Sequence, residues 1–291
     1  MRLSRFRRQL CTELAASPNA RFAADCILRQ IAGCSQTELL LGEAEISQHT
    51  AEKCRRIAAQ YSAGEPLQYL LGEWEFYGIP FSVGPGVLIP QPDSETLCER
   101  AISELPCGGI IADLCAGSGC LGISVSVNRP DLTVYLAENS EAAFCYLLRN
   151  CQRYPQSTLL PRAGDVTDQA FVDSLPLLDG ILCNPPYLTE RELQEVPPEV
   201  SREPKEALYG GKDGLYFYRC IPILWRKRLK TRGRLYLEIG MRQREAVCRL
   251  LARQGYRVCD VILDIEQRPR VIVAEKEGIG YGEEEHVEKG I

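Results

Sequence analysis

The chain is 291 residues long, enough for one full α/β domain and a smaller companion. Its 34 Lys and Arg against 39 Asp and Glu leave a net charge of −5, so the surface as a whole does not point to a polyanionic partner. Fourteen cysteines without a C-x-x-C pair, only two histidines and no signal-like or membrane-length apolar run argue against a disulfide-stapled secreted fold, a Cys/His zinc site and a transmembrane helix, so no metal is expected. The cysteines are expected to be reduced and mostly buried, in a cytoplasmic protein.

From Leu3 to about Gln60, apolar residues recur at helical steps, as in Ala23, Ile27, Leu28 and Ile31 and then Leu39, Leu40 and Leu41, with Pro18, Gly33 and Gly42 as punctuation. A helical domain is predicted over residues 1–66. Arg2, Arg5, Arg7 and Arg8 fall on its first helix, which reads more readily as a solvated face than as a nucleic-acid site. Leu67 to Ile89 is aromatic and β-branched, with Gly72, Gly78, Gly84 and Gly86, and predicts a hairpin linker over 67–90. Past Pro92, Asp93 or Ser94 is placed to cap a helix running to about Leu105.

From Ile110 onward strands and helices alternate: a strand at Ile110, a helix from Cys120, strands at Val134, Leu159 and Gly180, a strand at Arg234 to Ile239 and a helix at Arg244 to Gln254. Val258 to Asp264 and Val271 to Glu275 are expected to pair as closing antiparallel strands. This order predicts an α/β domain over 91–277, a mostly parallel sheet with ligands at the carboxyl ends of its strands. The Gly- and Glu-rich tail, 278–291, reads as disordered.

Two motifs fall at those strand ends. In Asp113-Leu114-Cys115-Ala116-Gly117-Ser118-Gly119, a buried strand runs through a glycine turn into a helix, the layout that lets backbone N–H groups approach a nucleotide-like ligand. The next strand ends in Glu138, suited to accept hydrogen bonds from two ribose hydroxyls. No phosphate-binding lysine follows the loop. A ligand with a ribose and no phosphates fits better, and S-adenosylmethionine is such a ligand.

In the second motif the strand at Gly180 stops in Asn184-Pro185-Pro186-Tyr187. Two prolines cannot donate ladder hydrogen bonds, and the first biases Asn184 toward an extended conformation. The Asn184 side-chain carbonyl and an exposed Pro185 carbonyl can together accept both hydrogens of an NH2 group, while Tyr187 covers its flat face. Alone, the segment also reads as a proline turn after a buried strand, and Tyr187 equally as pocket wall.

Taken together, Gln68-Tyr69 with Gly72, Leu88 to Glu95, the loop at Asp113 to Cys120, Asn184 to Tyr187, Glu203-Pro204 with Ala207-Leu208, Gly210-Gly211 with Asp213-Gly214, and Leu237 to Gly240 resemble the peptide chain release factor glutamine methyltransferases. The likeness extends from about Gly64 to Val273. It implies a helical domain before a seven-stranded, Rossmann-like methyltransferase domain, and N5-methylation of the glutamine in the Gly-Gly-Gln loop of release factors. It also implies S-adenosylmethionine held by Cys115 to Gly119 after Asp113, by Glu138, on the adenine side by Asp165 and Val166, and beside Asn184. The acceptor amide would lie on Asn184, Pro185, Pro186 and Tyr187. Two departures are visible. Gln91 stands where the family usually has arginine, and Cys115 where many members have glycine, which asks for a negative φ at Cys115.

A carboxamide nitrogen is a poor nucleophile, so orienting it and favouring its pyramidalisation is the main resource such a site offers. No general base stands out. The expected partner is a release factor, without direct nucleic-acid specificity or a membrane, and the chain is taken as a monomer. Two rivals stay open: an adenine N6 methyltransferase, whose exocyclic NH2 presents the same two donors, and a noncatalytic ligand-binding module.

Overall fold

The computed structural model describes residues 1–17 and 19–277. Pro18, His286 and the tail, with the expectations placed on them, lie outside the described residues. Two compact units are present, one formed by Met1–Trp74, Ser82–Ile89 and Val196–Pro204 and the other by the remaining described residues.

The first unit is helical: α1 (Leu3–Glu13), α2 (Ala20–Ala32), α3 (Gln36–Leu41), α4 (Gln48–Ser62) and α5 (Leu67–Leu71). Leu3, Phe6 and Leu10 of α1 bury against Ala23, Ile27 and Leu28 of α2 and Ala51, Cys54 and Ala58 of α4. Ser35 caps α3 in a full capping box with Glu38, and Ser47 caps α4 by accepting from the Thr50 N–H. The Arg7 guanidinium grips the Asp25 carboxylate with two bonds, of 2.5 and 2.6 Å, while Arg2, Arg5 and Arg8 face solvent. Of the three leucines in α3 only Leu39 is buried, because so short a helix presents a single residue to the core. In this unit the Ile89 N–H donates to Glu203 at 2.8 Å, and burial pushes that carboxyl up to about 7.

The hairpin is shorter than its sequence pattern suggests. Leu67–Leu71 is helical, since Pro66 opens it, Leu67 joins the helical core and Gly72 ends it in the left-handed region. Strands β1 (Glu73–Phe76) and β2 (Ile79–Ser82) then turn through Tyr77 and Gly78, both at positive φ, as a two-residue hairpin requires.

The second unit carries a seven-stranded sheet of β3 (Ile110–Leu114), β4 (Thr133–Glu138), β5 (Thr158–Ala163), β6 (Leu178–Cys183), β7 (Leu229–Glu238), β8 (Tyr256–Leu263) and β9 (Pro269–Lys276), in the order β5-β4-β3-β6-β7-β9-β8. All neighbouring pairs are parallel except those of β9, which runs antiparallel to both β7 and β8, as its sequence pattern predicts. Helices α6 (Glu95–Glu104), α7 (Cys120–Asn128), α8 (Glu141–Gln152), α9 (Gln169–Asp173), α10 (Glu190–Glu195), α11 (Tyr216–Trp225) and α12 (Arg244–Arg253) complete it. Ala112, Leu114, Ile181, Leu235 and Leu237 of the central strands pack with Tyr218 and Trp225 of α11.

The chain builds outward from β3 through β4 to β5, then crosses to β6 on the other side. That reversal opens a crevice at the carboxyl ends of β3 and β6, where ligands of open α/β sheets bind.

All fourteen cysteines are free, but only Cys54, Cys98 and Cys183 are fully buried, and Cys107, Cys145 and Cys259 are exposed. The expectation of mostly buried thiols is corrected: the other eight are only half-buried. No described helix is long and apolar enough to cross a membrane.

Candidate active site

Strand register assembles the site. Leu114 of β3 pairs with both Ala137 of β4 and Cys183 of β6, and Cys183 pairs in turn with Leu237 of β7. The next residues, Cys115, Glu138, Asn184 and Glu238, therefore emerge side by side at one sheet edge. Glu138 is also paired with Ala163 of β5, and the Gly164 N–H donates to the Glu138 carbonyl, which brings Asp165 and Val166 to the same edge.

The glycine loop is anchored from below and from the side. Buried Asp113 accepts from the Gly122 N–H at 2.8 Å and so ties β3 to the first turn of α7. Burial raises its carboxyl to about 7, and its second oxygen meets no partner among the described residues. Glu138 accepts from the Gly117 N–H at 2.8 Å and the Ser140 N–H at 2.7 Å. It is buried, with burial raising its pKa and the backbone donors of Ser140, Gly117 and Asn139 working against that rise. The Asn150 amide holds the Ser118 carbonyl at 2.9 Å. Gly117 and Gly119 stand at φ 57° and 82°, conformations that a glycine adopts without cost.

Cys115 corrects the expectation of a negative φ: it sits at φ 58°, in the left-handed region. The loop must turn here whichever residue fills it, and the half-buried Cys115 side chain packs on the central core, its thiol near that of Cys183. Asp165 uses one oxygen to accept from the backbone and hydroxyl of Thr167, both at 2.7 Å, and the buried Val166 carbonyl accepts from the Trp225 indole at 2.9 Å.

In the Asn-Pro-Pro-Tyr tip Pro185 and Pro186 are buried, and Asn184 and Tyr187 are the half-open members. The reason is the segment packed on them: a Cβ on Gly210 would lie 2.6 Å from the Pro186 carbonyl oxygen and 2.6 Å from Tyr187 Cα. The Gly210 N–H donates to the Leu188 carbonyl there, at 2.8 Å. No described residue donates to the Pro185 carbonyl. Tyr187 is held at two points. Its carbonyl accepts from Gln243 at 2.9 Å and its ring lies against Gly240, with the Arg270 guanidinium near its hydroxyl. Arg270 in turn pairs with Asp93 at 2.8 Å and Asp264 at 3.2 Å.

Ser94 corrects the capping expectation. Pro92–Ser94 forms a single 3-10 turn leading into α6, so Ser94 is already helical in φ and ψ and its side chain caps nothing. Its hydroxyl donates to the Glu238 carboxylate and accepts from Asn184 Nδ2 at 3.3 Å. Ser94 and Glu238 had no signal in local sequence beyond their place in the quoted motifs, and Arg270 and Gln243 lie outside those motifs.

The donor set at this edge fits S-adenosylmethionine: a glycine loop that admits close backbone approach and a fixed carboxylate able to accept from ribose hydroxyls. With the sheet order, the match of residues 94–211 to the methyltransferase small domain defines a Rossmann-like, S-adenosylmethionine-dependent methyltransferase. Residues 6–72 match the PrmC N-terminal domain. A methyltransferase structure from Pyrococcus furiosus shares the fold, with a TM-score of 0.53 over 79% of this chain and all of that one, at 16% identity. The release factor glutamine methyltransferase of Thermodesulfovibrio yellowstonii is 33% identical over 86% of this chain and 90% of its own length. That of Geobacter sulfurreducens is 33% identical over 87% and 89%. The chain belongs to the release factor glutamine methyltransferase family.

Proposed function

We propose that this enzyme methylates the side-chain amide nitrogen, N5, of the glutamine in the Gly-Gly-Gln loop of peptide chain release factors. The observation that carries the reading is the Leu114 to Cys183 register, which sets the loop from Cys115 to Gly119 beside the tip at Asn184. S-adenosylmethionine supplies an electrophilic methyl group on a sulfonium. Gly117, Gly119 and Glu138 would hold it, with Asp165 and Val166 toward the adenine. Asp113 acts beneath the loop, through Gly122, and Cys115, Ala116 and Ser118 shape its course.

At the acceptor, Asn184 Oδ1 and the Pro185 carbonyl take one N–H each. The amide nitrogen is thereby oriented, and its lone pair turned toward the methyl group. Pro186 stiffens the tip, and Tyr187, held by Gly240 and Gln243, forms the flat wall against the amide. These constraints convert a weak nucleophile into a well-placed one, the kind of contribution positioning makes.

The helical region, residues 1–66, serves in this reading to dock the protein substrate, with 67–90 as the linker and 91–277 as the catalytic domain. The enzyme works as a monomer in the cytoplasm, where release factors act. The experiment is to compare an intact release factor with a short peptide bearing the same glutamine. Remote contacts that help position the amide predict a much higher kcat/KM for the intact protein, and equal values would remove the docking role.

A further inference from the structure

We propose that Ser94 and Glu238 are positioning residues that fix which end of the Asn184 amide faces the acceptor, so that methyl transfer requires Glu238 to be ionised. The inference rests on the amide-capture role proposed above for Asn184.

The argument is one of hydrogen-bond polarity. A serine hydroxyl has a single proton, and an ionised carboxylate can only accept. With that proton committed to Glu238, Ser94 Oγ can only accept from its other partner, which must then be Asn184 Nδ2. Oδ1 is left facing the crevice as an acceptor, which an NH2 group needs. Once Glu238 takes up a proton it can donate to Ser94, and the hydroxyl is released to donate to Asn184. The amide then turns over and presents Nδ2 to the substrate N–H, donor against donor.

Both positioning residues are almost wholly buried, so water does not scramble this chain. Burial pushes the Glu238 carboxyl up to about 7, Ser94 and Arg270 lower it, and Asp93 raises it. Arg270 already shares its charge with Asp93 and Asp264. The other titratable groups facing this point are Tyr187, the Cys98, Cys120 and Cys183 thiols, and Tyr218, whose hydroxyl donates to the Glu238 backbone carbonyl at 2.8 Å. The carboxyl is the one among them that burial brings into the neutral range.

The test is single-turnover methylation of a release factor at saturating S-adenosylmethionine across pH 6 to 9, as an order-of-magnitude window around the Glu238 value. The wild type should gain rate with a one-proton slope centred near 7, because ionisation restores the productive polarity. Glu238→Gln, a neutral isostere whose NH2 can donate to Ser94 as the protonated carboxyl does, should be slower than wild type at high pH and lose the pH dependence. Ser94→Ala should slow transfer about 100-fold while the cofactor dissociation constant stays put, and Ser94→Thr, which keeps the hydroxyl, should recover most of the rate. A flat wild-type profile, an unchanged profile in Glu238→Gln, or a wild-type rate in Ser94→Ala would each overturn the proposal. If Ser94→Ala does not fold, the wild-type and Glu238→Gln profiles decide alone. Wild type that leaves the release factor unmethylated contradicts instead the acceptor reading beneath it.

Discussion

Leu114 and Cys183 are register partners on adjacent parallel strands, and the two residues that follow them, Cys115 and Asn184, open the two halves of the site. The spacing between the glycine loop and the Asn184 tip is thus a property of the sheet. A one-residue slip in this pairing would turn every side chain of β6 to the opposite face and misplace Asn184.

Asn184→Ala is expected to leave S-adenosylmethionine affinity within about twofold of wild type and to reduce methyl transfer by at least 100-fold, since the tip orients the acceptor and not the donor. Calorimetry and single-turnover kinetics measure the two effects separately. A tenfold loss of cofactor affinity with turnover intact would assign Asn184 to the donor side.

Glu138→Ala is expected to weaken S-adenosylmethionine by at least tenfold. Charge-assisted hydrogen bonds are worth roughly 1.5–3 kcal/mol each, and about 1.4 kcal/mol is already a factor of ten. The variant also leaves the Gly117 N–H without its carboxylate, so the loop loosens as well. An unchanged dissociation constant would mean that Glu138 only braces the loop.

Much of this was legible in the chain because the signals are local. Glycines at 117 and 119, a carboxylate ending the next strand, and two prolines stopping β6 each act over a few residues, and the alternation of periods gives the sheet. Local sequence offers Ser94, beside Asp93, as a helix cap because its actual partner, Glu238, lies 144 positions away. Gly210 and Gly240 have the same character. Nothing near either one in sequence announces that Pro186 and Tyr187 occupy the space of a side chain, and only the fold brings them together. The stretch at Leu67 read as strand because its apolar residues fit either period, and tertiary burial of Leu67 decided for helix.

Cys115 holds a conformation that costs a non-glycine residue about 1–2 kcal/mol. Glycine would relieve that strain but lose roughly 0.4–1 kcal/mol to unfolded-chain entropy, so Cys115→Gly should leave stability nearly unchanged or slightly raised. Cys115→Val, β-branched at positive φ, should destabilise by more than about 1 kcal/mol. Denaturant titration compares the three. Equal midpoints for cysteine and valine would show that the loop relaxes out of the left-handed region.

The acceptor is the central claim, and one labelling experiment addresses it most directly. The protein is incubated with S-adenosylmethionine carrying a labelled methyl group and, in separate reactions, with an intact release factor, the same factor with its Gly-Gly-Gln glutamine changed to alanine, and DNA or RNA containing unmodified adenine. The account predicts label on the intact factor, none on its alanine variant and none on nucleic acid. Label on nucleic acid with none on the release factor would contradict it, and would show that the Asn184 to Tyr187 tip receives the exocyclic amine of a flipped base instead.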